Sequence, residues 1–322
     1  MRRPAPAVAA LVAGAGLLGL IQPAGAITGG EPDGEDHPSV GLVLFYQPDG
    51  RFRCSGTLIS PTVVLTAAHC TFGDIGAVAV TFDTEVALDA AESAVNVPRA
   101  CDDEGPAAGD GLSDVGFSDG LCTPDPTTAG PDPYAGDVDW VVGTPLTHPE
   151  YSDFTDLDNW NDTGVIVLDE PVDGITPAAL APEGYLDAYR QPLLNRTLFE
   201  VVGYGTEVRK NESGPQLPTP QSFPLIRRQT TSPGQRLTPQ ILQLNGNIND
   251  IRGGGGTCFG DSGGPVFHTD SSGATVVVGD TSYGYTSNCR YLGGYQRVDA
   301  PVVRDWLLCT LGDDPVANCP TL

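Results

Sequence analysis

The sequence predicts an all-β protein, and three observations carry that prediction. The chain has 322 residues with 41 glycines and 29 prolines, a high content of turn formers for a helical protein. Short runs rich in valine, threonine and isoleucine recur between the turns. These runs form two sets of similar size, so the length suits one large β domain or two small packed barrels.

The predicted strands divide into a first set of five and a second set of five. In order they are 40–46, 57–66, 78–86, 138–146 and 163–168, then 197–204, 241–248, 265–268, 275–283 and 294–298. Residues 99–137 are rich in Asp, Gly and Pro and are interpreted as a long inserted loop, and 206–256 as a second polar connector. One helix is expected over 302–308, because Pro301 suits a first turn.

Residues 1–26 have the pattern of a secretory signal peptide. Arg2 and Arg3 precede an apolar run over 8–21, and Ala24-Gly25-Ala26 is a small-x-small cleavage site. A membrane anchor is the alternative, but the run is short and broken by glycines, and no other stretch approaches about 18 apolar residues. The expectation is a secreted protein that has no membrane attachment once the signal is removed.

The net charge of −25 argues against nucleic acid as a partner, and losing the two signal arginines makes the mature chain more negative still. Six acids of the inserted loop could bind calcium, but they lack the alternation and the glutamate of an EF-hand, so a solvated loop is favoured. These acids are Asp102, Asp103, Glu104, Asp110, Asp114 and Asp119. No metal or other cofactor is expected.

Eight cysteines in an exported chain indicate disulfides rather than metal ligands, because the compartment is oxidising and no Cys-x-x-Cys pair occurs. Spacing alone leaves many pairings open. Proximity in sequence favours Cys101 with Cys122 and Cys309 with Cys319, each closing a short loop.

A candidate nucleophile, Ser262, lies in the string Gly260-Asp261-Ser262-Gly263-Gly264-Pro265. Its small neighbours expose the hydroxyl and let a substrate carbonyl approach the backbone. A Gly-x-Ser-x-Gly string also occurs in α/β-hydrolases, where the acid and then the histidine follow the serine. Here the only later histidine is His268, six residues on in a strand-like run. The order therefore has to be histidine, aspartate, serine.

The candidate base is His69, in the string Leu65-Thr66-Ala67-Ala68-His69-Cys70. An apolar strand ends there in two alanines that leave room around an imidazole. His37 and His148 are each followed by proline and are interpreted as loop or strand-edge residues.

The acid should be buried beside the imidazole, so an aspartate at the head of an apolar strand is required. Asp162 fits best, because Thr163-Gly164-Val165-Ile166-Val167-Leu168 follows it. Asp158, in a polar loop, is the reserve candidate.

Three strings together resemble the trypsin/chymotrypsin family, in its secreted, bacterial type. They are Thr-Ala-Ala-His-Cys, Asn-Asp-x-x-Val-Ile-x-Leu and Gly-Asp-Ser-Gly-Gly-Pro, and they occur in the family's order. The resemblance covers about residues 27–308. The aspartate string is the loosest, because Thr163-Gly164 replaces the usual Ile-Ala. The resemblance implies two packed antiparallel six-stranded barrels, over about 27–180 and 181–308, with a short C-terminal helix and a disulfide-closed tail over 309–322.

The resemblance also implies a mechanism in which Ser262 attacks, His69 accepts and returns the proton, and Asp162 orients the imidazole. Backbone N–H groups of Gly260 and Ser262 would form the oxyanion hole. It further implies two disulfides, Cys54–Cys70 and Cys258–Cys289.

The string Ile27-Thr28-Gly29-Gly30 is similar to the family's mature N-terminus, whose free amine pairs with the aspartate before the serine. That partner would be Asp261. Since Ile27 directly follows the predicted signal site, signal cleavage itself is expected to give active enzyme.

The family's specificity pocket maps onto Gly256, Ser282, Tyr283, Gly284 and Gly293. Gly256 stands where trypsin-like enzymes have an aspartate, so an uncharged pocket for large apolar or aromatic side chains is expected, rather than one for Arg or Lys. Asp280, in an otherwise apolar strand, has no role in this scheme.

Expected partners are protein or peptide substrates and protein inhibitors, bound to a monomer. The alternatives are a non-catalytic binding protein that kept the fold, and an esterase of the α/β-hydrolase kind. The first is disfavoured by the complete triad and the second by the chain order.

Overall fold

The structure is a computed structural model that describes residues 27–47, 50–74, 76–86, 139–156, 158–208, 221–222, 225–286 and 289–322. The predicted signal segment 1–26, the inserted loop 99–137 and the pair Cys101–Cys122 lie outside these residues. Among the described residues, no helix has the length and apolar character needed to cross a membrane.

The first barrel is a closed sheet of six antiparallel strands that follows a short strand, β1 (Glu31–Pro32). The six are β2 (Val40–Gln47), β3 (Gly50–Ser60), β4 (Val63–Thr66), β5 (Val78–Thr81), β6 (Trp140–Thr147) and β7 (Gly164–Leu168). They close in the order β2-β3-β4-β7-β6-β5. The β-branched and aliphatic side chains of these strands point alternately to opposite faces, and one set fills the barrel.

The second barrel is formed by six further antiparallel strands. They are β8 (Leu198–Gly203), β11 (Arg228–Leu237), β12 (Ile241–Asn245), β13 (Pro265–Thr269), β14 (Thr275–Gly284) and β15 (Leu292–Arg297). The ring runs β8-β11-β12-β15-β14-β13 and closes because β13 also pairs with β8. A separate two-stranded sheet joins β9 (Glu207–Val208) to β10 (Gln221–Ser222). The two antiparallel six-stranded barrels confirm the predicted fold class.

Helices are short and few among the described residues. Three 3-10 turns cover Ala68–Cys70, Tyr185–Ala188 and Leu194–Arg196, and two α-helices, α1 (Pro301–Thr310) and α2 (Pro315–Asn318), lie near the C-terminus. Helix α1 begins at Pro301, as expected from proline's preset backbone angle and missing N–H.

The predicted strands differ most from the structure at three places. The run 57–66 is two strands, because Pro61 and Thr62 form a turn between β3 and β4. The run 78–86 ends as a strand at Thr81. The predicted connector 206–256 contains β11, whose polar residues and Pro233 conceal it, since its pairing with β8 uses backbone groups.

The segment before the first barrel belongs structurally to the second. Strand β1 pairs with β11, and the Asp33 carboxylate accepts a 2.7 Å hydrogen bond from Nε of the fully buried Arg227. Conversely, residues near the C-terminus bind the first barrel: the N–H of Leu322 donates to the carbonyl of Thr147, the last residue of β6. Each barrel therefore holds a segment that is contiguous in sequence with the other.

Candidate active site

The first half of the site is a histidine and an aspartate brought together by the register of β4 and β7. Thr66 pairs with Gly164, so the turn after β4, with His69, lies beside the residue two before β7, Asp162. The His69 Nδ1 lies 2.9 Å from Asp162 Oδ2, and the His69 backbone N–H donates to Oδ1 at 2.9 Å. Asp162 is fully buried. The carboxylate thus fixes the imidazole by its ring and by its backbone.

Asp162 is also held from the second barrel. The Ser282 hydroxyl on β14 donates to Asp162 Oδ2, and the same hydroxyl accepts a 2.9 Å hydrogen bond from Trp160 Nε1. The Asp162 backbone N–H donates at 3.1 Å to the side-chain carbonyl of Gln296 on β15. Asp162 therefore lies at the junction of the two barrels.

Burial by itself would lower the pKa of His69, but the charge of Asp162 and its hydrogen bond outweigh it, and the pKa is raised above 6.5. His69 Nε2 donates to and accepts from no other described residue. An imidazole whose Nδ1 side is fixed by a carboxylate has its second nitrogen left for proton transfer.

The second half of the site is the loop that carries Ser262. The N–H of Gly263 donates to the Thr281 carbonyl at 2.8 Å, and the Ser262 carbonyl accepts from the Ser55 N–H at 2.8 Å. Gly263 has a φ of +74°, and a Cβ there would lie 2.1 Å from Thr66 Oγ1, so only glycine fits. Ser262 is half-buried and, with His69, lines one cavity of about 440 Å³.

The two amides assigned to an oxyanion hole belong to this loop. Gly260 has a φ of +93°, a left-handed conformation that glycine adopts without strain. Neither the Gly260 N–H nor the Ser262 N–H donates to another described residue.

Asp261 lies beneath the loop and is fully buried. Its Oδ1 accepts from the Gly205 N–H at 2.7 Å and its Oδ2 from the Cys258 N–H at 2.8 Å. Burial raises the pKa of this carboxyl to about 7, although both amides and Arg53 act against the rise. Ile27 is fully buried, but it is not a hydrogen-bond partner of Asp261. The predicted ion pair needs a free amine, which Ile27 lacks in the uncut chain.

The five predicted pocket residues all line the cavity shared by His69 and Ser262; they are Gly256, Ser282, Tyr283, Gly284 and Gly293. Phe154, Phe259 and Tyr291 add aromatic surface, and no Asp, Glu, Lys or Arg is among the described residues that line the cavity. A Cβ on Gly256 would lie 2.7 Å from Gly246 Cα. The backbone of Gly246 therefore occupies the space that a side chain at position 256 would need.

Three disulfides join described residues, and they are three of the four pairs expected. Cys54–Cys70 ties β3 to the residue after His69, and Cys258–Cys289 ties the loop of Ser262 to the wall of the cavity. The third, Cys309–Cys319, closes the C-terminal segment. The sulfurs of Cys54 and Cys70 lie near the His69 ring, but their disulfide leaves no thiolate to bind a metal.

The other candidate residues lie elsewhere. Asp158 is exposed in a polar turn, where its N–H donates to Asp156. His37 is fixed at 2.6 Å to Asp33; burial opposes, but Asp33 and Glu200 raise its pKa to about 9. His148 packs against Trp306. None of them lines the cavity that His69 and Ser262 share.

Sequence reasoning missed Gln296 and Trp160, and it placed Ser282 only in the pocket. Gln296 and Trp160 act through partners 134 and 122 positions away in the sequence, so no local pattern reveals them.

Comparisons with known proteins agree with this geometry. The family model described as Trypsin matches residues 131–307, more than half of the chain. The CLIP domain-containing serine protease HP8 of Bombyx mori is 26% identical over 290 residues, which are 86% of this chain and 67% of that protein. A trypsin of Saccharopolyspora erythraea is 50% identical over 48 residues, 15% of this chain and 20% of that protein.

A solved structure titled HL collagenase shares the fold, with a TM-score of 0.51 and 18% identity. The superposition covers 86% of this chain and 94% of the collagenase chain. With the family match over more than half of the sequence, the two barrels and the arrangement between them lead to one conclusion: this chain belongs to the trypsin family of serine proteases.

Proposed function

We propose that this protein is a secreted serine endopeptidase that hydrolyses peptide bonds through an acyl-enzyme on Ser262. The observation that supports this best is the common cavity, which is lined by Ser262 and by a His69 that Asp162 holds through its Nδ1. A nucleophile, a base and an orienting acid are the three parts that acyl transfer requires.

The chemistry follows from the positions of these groups. Ser262 Oγ attacks the peptide carbonyl while His69 Nε2 takes its proton, and Asp162 stabilises the imidazolium that forms. The N–H groups of Gly260 and Ser262 donate to the oxygen that becomes negative. His69 then protonates the leaving amine, and a water molecule hydrolyses the acyl-enzyme by the same steps in reverse.

The cavity favours a large apolar or aromatic side chain at the cleavage site. Its described walls carry aromatic rings and glycines and no countercharge for Arg or Lys. Gly284 offers a test, because a Cβ there would have only the Thr286 carbonyl oxygen near it, at 3.9 Å. The variant G284V should lower kcat/KM for Phe and Tyr substrates much more than for Ala substrates, while G254V, outside the cavity, should not change the ratio.

The N-terminus is proposed to form by signal cleavage before Ile27, whose amine would then pair with Asp261. The disulfides agree with an exported protein, which is further proposed to act as a monomer on protein substrates and to be blocked by protein inhibitors. N-terminal sequencing of secreted material should give Ile27-Thr28-Gly29-Gly30; a start within 31–40 would contradict the proposal.

Labelling with a serine-directed phosphonate tests the whole assignment. Wild-type protein should be labelled at Ser262 and should cleave peptides, whereas S262A should do neither. Labelling with turnover of esters alone would support an esterase, and no labelling of folded wild-type protein would support a binding protein that kept the fold.

A further inference from the structure

Another buried carboxyl, that of Asp280, lies behind His69 and Asp162. Asp280 is on β14, two residues before Ser282, and is fully buried. Its Oδ2 accepts a 3.0 Å hydrogen bond from the hydroxyl of Thr163, the residue after Asp162. Thr163 belongs to the pair that departs from the family's usual Ile-Ala, and Asp280 has no role in the sequence analysis; the structure shows that the two are bonded to each other.

The surroundings of Asp280 provide one hydrogen-bond donor and no cation. Its Oδ1 is buried without a hydrogen-bond partner among the described residues. Across the sheet its strand neighbours are Pro265 and Gln296, neither of which titrates. The described titratable group that acts on it is Asp162, which would repel a second negative charge.

Asp162, unlike Asp280, is surrounded by hydrogen-bond donors. Three donors converge on its carboxylate: the His69 ring, the His69 backbone N–H and the Ser282 hydroxyl. Two carboxyls that share a buried site cannot both ionise at low cost, so the one with donors takes the charge and the other keeps its proton. A neutral buried acid with an unsatisfied oxygen is far less unfavourable than a buried carboxylate without a cation.

We propose that Asp280 is a positioning residue that works as a neutral acid: bonded to Thr163, it holds the segment carrying Asp162, and its ionisation lowers activity at alkaline pH. This inference rests on the proposed function. When Asp280 loses its proton, a second negative charge beside Asp162 repels the segment that orients His69. Burial and the charge of Asp162 raise the pKa of Asp280 well above its ordinary value, which agrees with this assignment.

The pH dependence of kcat/KM tests the proposal. The variant D280N cannot ionise, so the pH of half-maximal activity on the alkaline side should rise by about one unit or more relative to wild type. The variant T163V removes the hydrogen bond that favours the ionised form, and it should move the same limb upward. T57V is the matched control, because the Thr57 hydroxyl is buried without a partner among the described residues, and its profile should equal that of wild type.

A purely structural role would lower kcat or stability without moving this limb. An alkaline limb that is unchanged in both D280N and T163V would overturn the proposal. If D280N does not fold, T163V carries the pH test.

An infrared difference spectrum gives a second, independent readout. At neutral pH the wild-type minus D280N difference spectrum should contain the carbonyl band of a protonated carboxylic acid, and T163V should shift that band. Bands of other protonated acids, such as Asp261, cancel in this difference, so a difference spectrum without the band overturns the proposal. Wild-type protein that neither labels at Ser262 nor cleaves peptides would instead refute the proposed function, and the infrared band would still report the proton on Asp280.

Discussion

The two halves of the active site are held by different kinds of contact. His69 and Asp162 are positioned by side chains from both barrels, including Ser282, Trp160 and Gln296. The loop of Ser262 is positioned by hydrogen bonds to its backbone groups, some of them from side chains, and by glycines that leave no room for a Cβ. The first half therefore depends on contacts between side chains, and the second depends on backbone groups and on positions where a Cβ does not fit.

The buried aspartates of the two halves, Asp162 and Asp261, show the same contrast. Asp162 shares its charge with the His69 imidazole, whereas both Asp261 oxygens are bound by backbone amides. Amides stabilise a carboxylate but do not neutralise it. The charge of Arg53 only partly offsets the burial of Asp261, so a free amine at Ile27 would stabilise this carboxylate further.

The most damaging change to the first half is D162N. It keeps the shape of the side chain but removes the charge that fixes the His69 tautomer, so kcat should fall by about 10⁴-fold. Steady-state kinetics on a peptide ester measure this. The matched control is D158N in the exposed polar turn; equal losses in both variants would contradict the assignment of Asp162.

In the loop of Ser262 the most damaging change is the addition of a methyl group to a glycine. A Cβ on Gly205 would lie 2.3 Å from Asp261 Cγ, so G205A should displace Asp261 and the loop above it. The loss of an oxyanion donor lowers the rate by about 100- to 1000-fold, and we expect a kcat loss of that size. G254A has open space around the new methyl and should retain wild-type kcat.

The raised pKa of Asp261 predicts a pH dependence of stability. In a chain extended by Gly25-Ala26, the Asp261 pKa of about 7 lies above the ordinary 3.8, so the contribution of Asp261 to stability is full below pH 3.8 and is lost as the pH rises through 7. The decline should be about 4 kcal/mol. A chain that begins at Ile27 should lose much less. Denaturant unfolding from pH 4 to 8 compares the two, and parallel curves would argue against the pair.

The loss of activity at low pH depends on His69 and Asp162 and not on the loop of Ser262. The base must be neutral, so kcat/KM should fall as pH decreases through the raised pKa of His69, with a midpoint above 6.5. Rate measurements from pH 5 to 9 give the midpoint. A midpoint below 6.5 would mean that burial, not Asp162, governs the imidazole.

The smallest effect on activity is expected from a disulfide that touches neither half. The double variant C309S/C319S opens a loop with a sequence separation of 10 and should lower the free energy of unfolding by about 3 kcal/mol. Its kcat/KM at 25 °C should remain that of wild type. A loss of activity at full folding would show that the C-terminal segment reaches the site.

Much of the fold and site followed from the sequence because its signals are local. The β runs, the strings around His69 and Ser262 and the proline at the start of α1 each lie within a few residues. Strand β11 could not be predicted, because its polar residues pair through the backbone with β8. The contacts of Ser282 and Gln296 with Asp162 join positions 120 and 134 apart, and only the packed barrels bring them together.

Each barrel binds a segment from the opposite end of the described chain, and this arrangement has a consequence for how the protein is made. Asp33 meets Arg227 across 194 positions, and Thr147 meets Thr321 across 174. Contacts of such separation form late, because the loops they close must be ordered first. The first barrel gains its contacts with Thr321 only after the second barrel has been synthesised. The order in which the chain leaves the ribosome therefore makes completion of the first barrel a late event in folding.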